Sequence, residues 1–229
     1  MVDYGIIAAM QAEAAPLLEE MQDRTQETVS GVTFTQGTLC GKTVVLAVCG
    51  IGKVFAALCA QTMILRYAPR GVIHTGVAGS LDAALSIGDL VIADRVVQHD
   101  MDTSALGDPV GLIPGIDKVF LPAAPALMER LQAAAADNGV PYLVGTVASG
   151  DRFVGDEQKK RYIRDTFGAA ACEMEGAAVG QVCYVNGVPF AVVRAISDDA
   201  SGQAQMDYPA FVKMAAARSA ALIRRMLER

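Results

Sequence analysis

Hydrophobic and polar positions divide the chain into short apolar runs alternating with longer segments of helical period. Tyr4-Gly5-Ile6-Ile7-Ala8-Ala9-Met10 reads as a buried strand, and residues 13–21 follow as a helix with Leu17, Leu18 and Met21 inward. Residues 32–39 and 43–48 flank Cys40-Gly41-Lys42, a turn that folds them into an antiparallel hairpin. A helix over 54–67 stops at Pro69, and Gly71-Val72-Ile73-His74-Thr75 is the next strand, with Gly76-Val77-Ala78-Gly79-Ser80 as a small-residue loop at its end. Strands over 89–97 and 142–148 and helices over 125–138 and 157–167 continue the alternation. The run Phe190-Ala191-Val192-Val193-Arg194-Ala195-Ile196 lacks polar alternation and reads as a central strand covered on both faces. A last amphipathic helix, 207–229, turns Phe211, Met214, Leu222 and Met226 inward. Strands alternating with helices, plus one hairpin, predict an α/β three-layer sandwich: a central mixed β-sheet flanked by helices.

Residues 1–229 contain nothing resembling a linker, so a single domain is expected. Hydrophobic residues make up 52% of the chain and charged ones 19%, which excludes disorder and leaves apolar surface for a partner subunit. A net charge of −6 without a basic stripe argues against nucleic acid. Cys40, Cys49, Cys59, Cys172 and Cys183 are odd in number and show no C-x-x-C spacing, so neither a zinc site nor a disulfide framework is expected. They read as reduced thiols of a cytoplasmic protein. The amino terminus lacks a basic leader, and no apolar run reaches the about 18 residues that a membrane span needs.

Open α/β sheets bind ligands beyond the carboxyl ends of their strands. Glu13, Glu173, Glu175 and Asp198 all sit at such ends, and carboxylates meeting over an apolar floor suggest acid/base chemistry. Gly50-Ile51-Gly52-Lys53 invites a phosphate reading, but Ala47 and Val54 occupy the places where a P-loop needs Gly and Ser/Thr; a close backbone approach to a ligand fits better. Gly76-Val77-Ala78-Gly79 lacks the G-x-G-x-x-G spacing of a dinucleotide site. His74 and His99 read as core groups, and mid-strand Arg194 as the partner of a buried acid. After the strand over 89–97 the chain leads into His99-Asp100-Met101-Asp102 and a long segment with Gly107, Pro109, Gly111, Pro114 and Gly115, which is expected to be functional or covered by another subunit.

Six stretches, in order, carry a wider resemblance: Gly5-Ile6-Ile7-Ala8-Ala9-Met10-Gln11-Ala12-Glu13, Gly50-Ile51-Gly52-Lys53, Thr75-Gly76-Val77-Ala78-Gly79, Ser149-Gly150-Asp151-Arg152-Phe153, Glu173-Met174-Glu175-Gly176-Ala177 and Val193-Arg194-Ala195-Ile196-Ser197-Asp198. Together they resemble the motifs of the 5′-methylthioadenosine/S-adenosylhomocysteine nucleosidases, of the nucleoside phosphorylase group. The resemblance implies hydrolysis of the N-glycosidic bond of adenine nucleosides to release adenine, with no metal and no cofactor. It implies that Glu13 activates water, Asp198 protonates the base, and Glu175 holds the ribose hydroxyls beside the Met174 backbone. Phe153 would stack on the base and the Val154 backbone read its edge. Met10, Ile51 and Tyr208 would line the ribose and alkylthio end, with Val77, Ala78, Gly79, Glu173 and Ser197 completing the pocket. The loop bearing Thr103, Leu106 and Pro114 would close the neighbouring subunit's pocket in a homodimer. Val77 stands where many members carry Ser, and Leu106 replaces a frequent aromatic. With Gln98-His99-Asp100-Met101-Asp102, Val77 leans toward members that also cleave 6-amino-6-deoxyfutalosine in menaquinone synthesis. The rivals are a purine nucleoside phosphorylase, which needs an arginine-lined phosphate site that His74 and Val77 do not supply, and a non-catalytic nucleoside-binding module.

Overall fold

The computed structural model describes residues 2–198 and 208–229, with side chains in the second segment from residue 210 onward. Runs of branched apolar residues form its spine. β1 (Tyr4–Ala8), β4 (Lys42–Val48), β5 (Val72–Ser80) and β10 (Phe190–Asp198) lie side by side and parallel in the order β4-β1-β5-β10. Successive side chains of a strand point to opposite faces, and the core divides accordingly. Ile7, Val45, Val72 and Val192 pack on one side with α2 (Lys53–Tyr67) and α5 (Gly176–Val185). Ile6, Leu46, Ile73 and Val193 pack on the other with α1 (Gln11–Glu20), α3 (Pro125–Asp137) and α6 (Tyr208–Glu228). Both faces being covered, these strands can be almost wholly apolar.

The mixed sheet flanked by helices is as anticipated, and it also curls. Antiparallel β6 (Leu90–Gln98) pairs with β10, β8 (Tyr142–Ser149) runs parallel to β6, β9 (Ala169–Glu173) parallel to β8, and β9 meets the end of β5 through Gly79 and Cys172. Because β5 also pairs with β10, the five strands close into a ring. That closure brings the carboxyl ends of β5, β9 and β10 to one corner. A third apolar cluster, including Leu81, Ala148 and Ile163, packs α4 (Glu157–Phe167) against it.

Several elements differ from expectation. β2 (Gln22–Val29) is exposed along nearly its whole length; it has no apolar alternation and is held by pairing with β3 (Val32–Leu39). A three-residue strand, β7 (Phe120–Pro122), pairs with β6. Gly76 to Ser80 is not a loop but the second half of β5, paired through Gly76 with Arg194, Val77 with Ala195 and Ala78 with Ile196. Met214 faces outward at 38% exposure, while Val212, Ala215, Ala216, Leu222 and Ile223 supply the buried stripe of α6. All five cysteines are free, and four of them are buried. Among the described residues no helix is long and apolar enough to cross a membrane.

Candidate active site

The cleft lies where these strand ends meet. Its lining includes Met10, Glu13, Ile51, Val77, Ala78, Gly79, Phe153, Glu173, Met174, Glu175, Ser197 and Asp198, together with Ala9 and Cys172. An adjoining hollow shares Gly79, Phe153 and Asp198 and adds Val154 and Lys160. Ala9 and Cys172 are not legible as site residues in the sequence: each directly neighbours a candidate, but small apolar residues carry no chemical signal of their own. Thr103, Leu106 and Pro114 do not line the cleft, and Leu106 is 84% exposed. The side chain of Tyr208 falls outside the described residues.

Glu13 enters from the first turn of α1. One oxygen, Oε2, accepts the backbone N–H groups of Ala9 and Met10, each at 2.9 Å, and Oε1 accepts that of Val77 at 2.9 Å. A carboxylate offers about four acceptor positions, so the side chain is fixed while one position remains. Burial raises its pKa, against the pull of Arg194 and the three N–H donors. Val77 thus contributes through its backbone, which any residue there provides.

Glu173 and Glu175 flank the end of β9 and have opposite surroundings. Burial pushes Glu173 up, but the Arg194 guanidinium overrides it and holds this carboxyl at about 2. Arg194 donates to Glu173 through Nε and Nη2, and both groups are buried. Ser149 Oγ also donates to Glu173, as do the N–H groups of Glu175 and Gly176, so Glu173 caps the amino end of α5. It borders the cleft with its oxygens already engaged. Glu175 faces the cleft and accepts the Gly52 N–H at 2.7 Å. Gly52 adopts φ 103°, a conformation that favours glycine. The close backbone approach read from Gly50-Ile51-Gly52-Lys53 is therefore made, among the described residues, to a glutamate. Burial first, and the charge of Glu173 second, raise Glu175 to about 7.

Asp198 ends β10. Its Oδ1 accepts Ser197 Oγ at 3.0 Å, and Oδ2 lies 4.0 Å from Lys160 Nζ. Across the cleft Phe153 is 60% exposed, in a segment anchored by Asp151, which accepts the Lys53 N–H at 2.7 Å. Lys53 Nζ reaches Asp100 at 2.7 Å and Gln98 at 2.9 Å, so the lysine of the glycine stretch ties loops together. His74, fully buried, is held neutral by burial, which lowers it to about 3, and His99 is buried too.

The class defined by this fold and cleft is the phosphorylase superfamily, whose family model matches residues 3–228. The chain is 41% identical over 226 residues to the 5′-methylthioadenosine/S-adenosylhomocysteine nucleosidase of Shewanella putrefaciens, covering 98% of this chain and 97% of that one. It is similar in structure to the Neisseria meningitidis nucleosidase of that name in complex with methylthio-immucillin-A, with TM-score 0.95, 35% identity and coverage of 100% and 99%. A futalosine hydrolase mutant of Helicobacter pylori superposes with TM-score 0.94 at 36% identity, covering 100% of this chain and 99% of that one. The chain belongs to the 5′-methylthioadenosine/S-adenosylhomocysteine nucleosidase family.

Proposed function

We propose that this protein hydrolyses the N-glycosidic bond of 5′-methylthioadenosine, S-adenosylhomocysteine and related adenine nucleosides. The observation that carries the reading is the convergence of Glu13, Glu175 and Asp198, from the ends of three different strands, on one cleft beside the exposed ring of Phe153. Cleavage builds positive charge on the ribose and negative charge on the departing base, as in glycoside hydrolysis generally. Glu175 accepts the ribose hydroxyls. Glu13 takes a proton from water as the water oxygen bonds to C1′. The C1′–N9 bond breaks with its electron pair going to the purine, and Asp198 delivers a proton to N7. A raised pKa makes Glu13 the stronger base once it is ionised.

Hydrolysis is favoured over phosphorolysis because Arg194 is committed to Glu173 and Val77 presents no hydroxyl. The purified protein should release adenine from 5′-methylthioadenosine in phosphate-free buffer. Strict dependence on phosphate would overturn the reading.

The similarity to the Helicobacter pylori futalosine hydrolase supports 6-amino-6-deoxyfutalosine as a second substrate. Comparing kcat/KM for that nucleoside and 5′-methylthioadenosine tests it; no detectable cleavage refutes it. The exposed loop with Thr103, Leu106 and Pro114 supports a homodimer in which each copy closes its partner's cleft. Sedimentation alongside activity decides this, since a fully active monomer would contradict it. Free core thiols fit a reducing cytoplasm.

A further inference from the structure

His74 is the third residue of β5 and has no exposed surface. Its Nδ1 lies 3.0 Å from the carbonyl oxygen of Ile7 on β1. A carbonyl only accepts, so Nδ1 carries the ring proton and Nε2 is left with a lone pair. Nε2 has no partner among the described residues. A ring nitrogen of His74, an oxygen of Glu173 and an oxygen of Glu175 all lie within 4.8 Å of one another. A buried acceptor without a donor is disfavoured, so one of its neighbours is expected to supply a proton.

Glu173 cannot do so, because Arg194 holds it ionised and its oxygens are engaged. Arg194 directs Nε and Nη2 at Glu173 and Nη1 at the Val193 carbonyl. A metal ion among the three side chains would have to compete with that guanidinium for Glu173. Glu175 remains, with Oε1 taking the Gly52 N–H. We propose that His74 is a positioning residue for Glu175, its Nε2 accepting the Glu175 carboxyl proton directly or across one water molecule and so coupling nucleoside binding to proton release. Two hydrogen bonds of about 2.8 Å through a water reach about as far as the 4.8 Å that at most separates a ring nitrogen of His74 from an oxygen of Glu175. The inference rests on Glu175 being the ribose carboxylate of the proposed function.

Below about pH 7 the free site holds mainly the neutral carboxyl, hydrogen-bonded to His74. Ribose hydroxyls are donors and favour the ionised form, so the proton leaves when nucleoside enters. The charged and titratable groups acting on Glu175 are Glu173 on β9, Glu13 on α1, Arg194 on β10, His74 on β5 and Cys49 after β4, with the Gly52 N–H. Cys49 stays a thiol because burial pushes it up. Burial and Glu173 set Glu175 near 7, and the His74 lone pair acts in the same direction.

The test is calorimetric titration with a 5′-methylthio adenine C-nucleoside, whose carbon–carbon ribosyl bond resists hydrolysis, in buffers of differing ionisation enthalpy. The wild-type protein should release about half a proton at pH 7, and its affinity should rise about tenfold from pH 6 to pH 8. His74→Phe and His74→Asn should move that inflection about one pH unit lower, cut release at pH 7 to about a tenth of a proton, and leave affinity at pH 8.5 within about threefold. The nitrogen-15 resonance of wild-type Nε2 should report a hydrogen-bonded acceptor that changes on titration, which requires no variant. Wild-type proton release in either folded variant, or an Nε2 resonance indifferent to nucleoside, overturns the role of His74 alone. Failure of the wild-type protein to bind overturns the functional reading and this inference with it.

Discussion

A Cβ added to Gly76 would stand 2.6 Å from Oε1 of Glu13, so the strand passes the carboxylate at a distance that only glycine permits. Gly79 bears the same relation to Asp198, whose Oδ2 would lie 2.8 Å from the added carbon. The small residues of β5 therefore make room for two acids of the cleft. Gly76→Ala should displace Glu13 and lower kcat about a hundredfold while the protein still folds, read by adenine release and thermal melting. Unchanged activity would mean that the position of Glu13 is not critical.

Asp198→Asn keeps the shape of the side chain and removes its acid. Adenine release should fall by about 10²–10⁴, with nucleoside affinity retained in equilibrium binding. A near wild-type rate would transfer the proton donor's role to another group.

Arg194 and Glu173 form a buried pair, and removing one partner leaves a buried charge. Arg194→Met should cost about 3–5 kcal/mol in urea unfolding, and adding Glu173→Gln should recover part of it. A cost below about 1 kcal/mol would show that the pair is dispensable.

Stability should depend on Glu175 with a definite sign. Its folded value of about 7 exceeds the ordinary 4.5, so the folded protein binds the proton more tightly than the unfolded chain. The resulting stability is complete below about pH 4.5 and lost as pH rises through 7. Glu13, also raised, contributes with the same sign. Glu173, lowered from 4.5 to about 2, contributes the opposite way and loses its share only in acid below that window. Between pH 5 and pH 8 the wild-type protein should lose about 2–3 kcal/mol on account of Glu175, and Glu175→Gln should abolish most of that loss. Parallel pH profiles for the two proteins would contradict it.

Position 77 provides Glu13 with a backbone N–H, not a side-chain group. Val77→Ser should leave kcat/KM within about threefold, since a new hydroxyl adds to a contact already made. A gain of tenfold or more would show that the missing hydroxyl matters.

Much of this architecture was open to inspection in the chain alone. Phe190 to Ile196 announced a doubly covered strand because burial on both faces removes polar alternation, and Arg194 within it had to meet an acid. The acids at strand ends and the six matching stretches marked the cleft, since local order along the chain is preserved in the fold. β2 stayed hidden because an exposed strand held by its neighbour's hydrogen bonds leaves no hydrophobic signature. The second half of β5 looked like a loop because its small residues answer to acids remote in sequence. Only tertiary structure could decide the opposite protonation of Glu173 and Glu175. Two residues apart and chemically identical, one is held near 2 by Arg194 and the other raised to about 7 by burial and its sibling's charge. Protonation follows from three-dimensional neighbours and solvent exclusion, and neither is a property of local sequence.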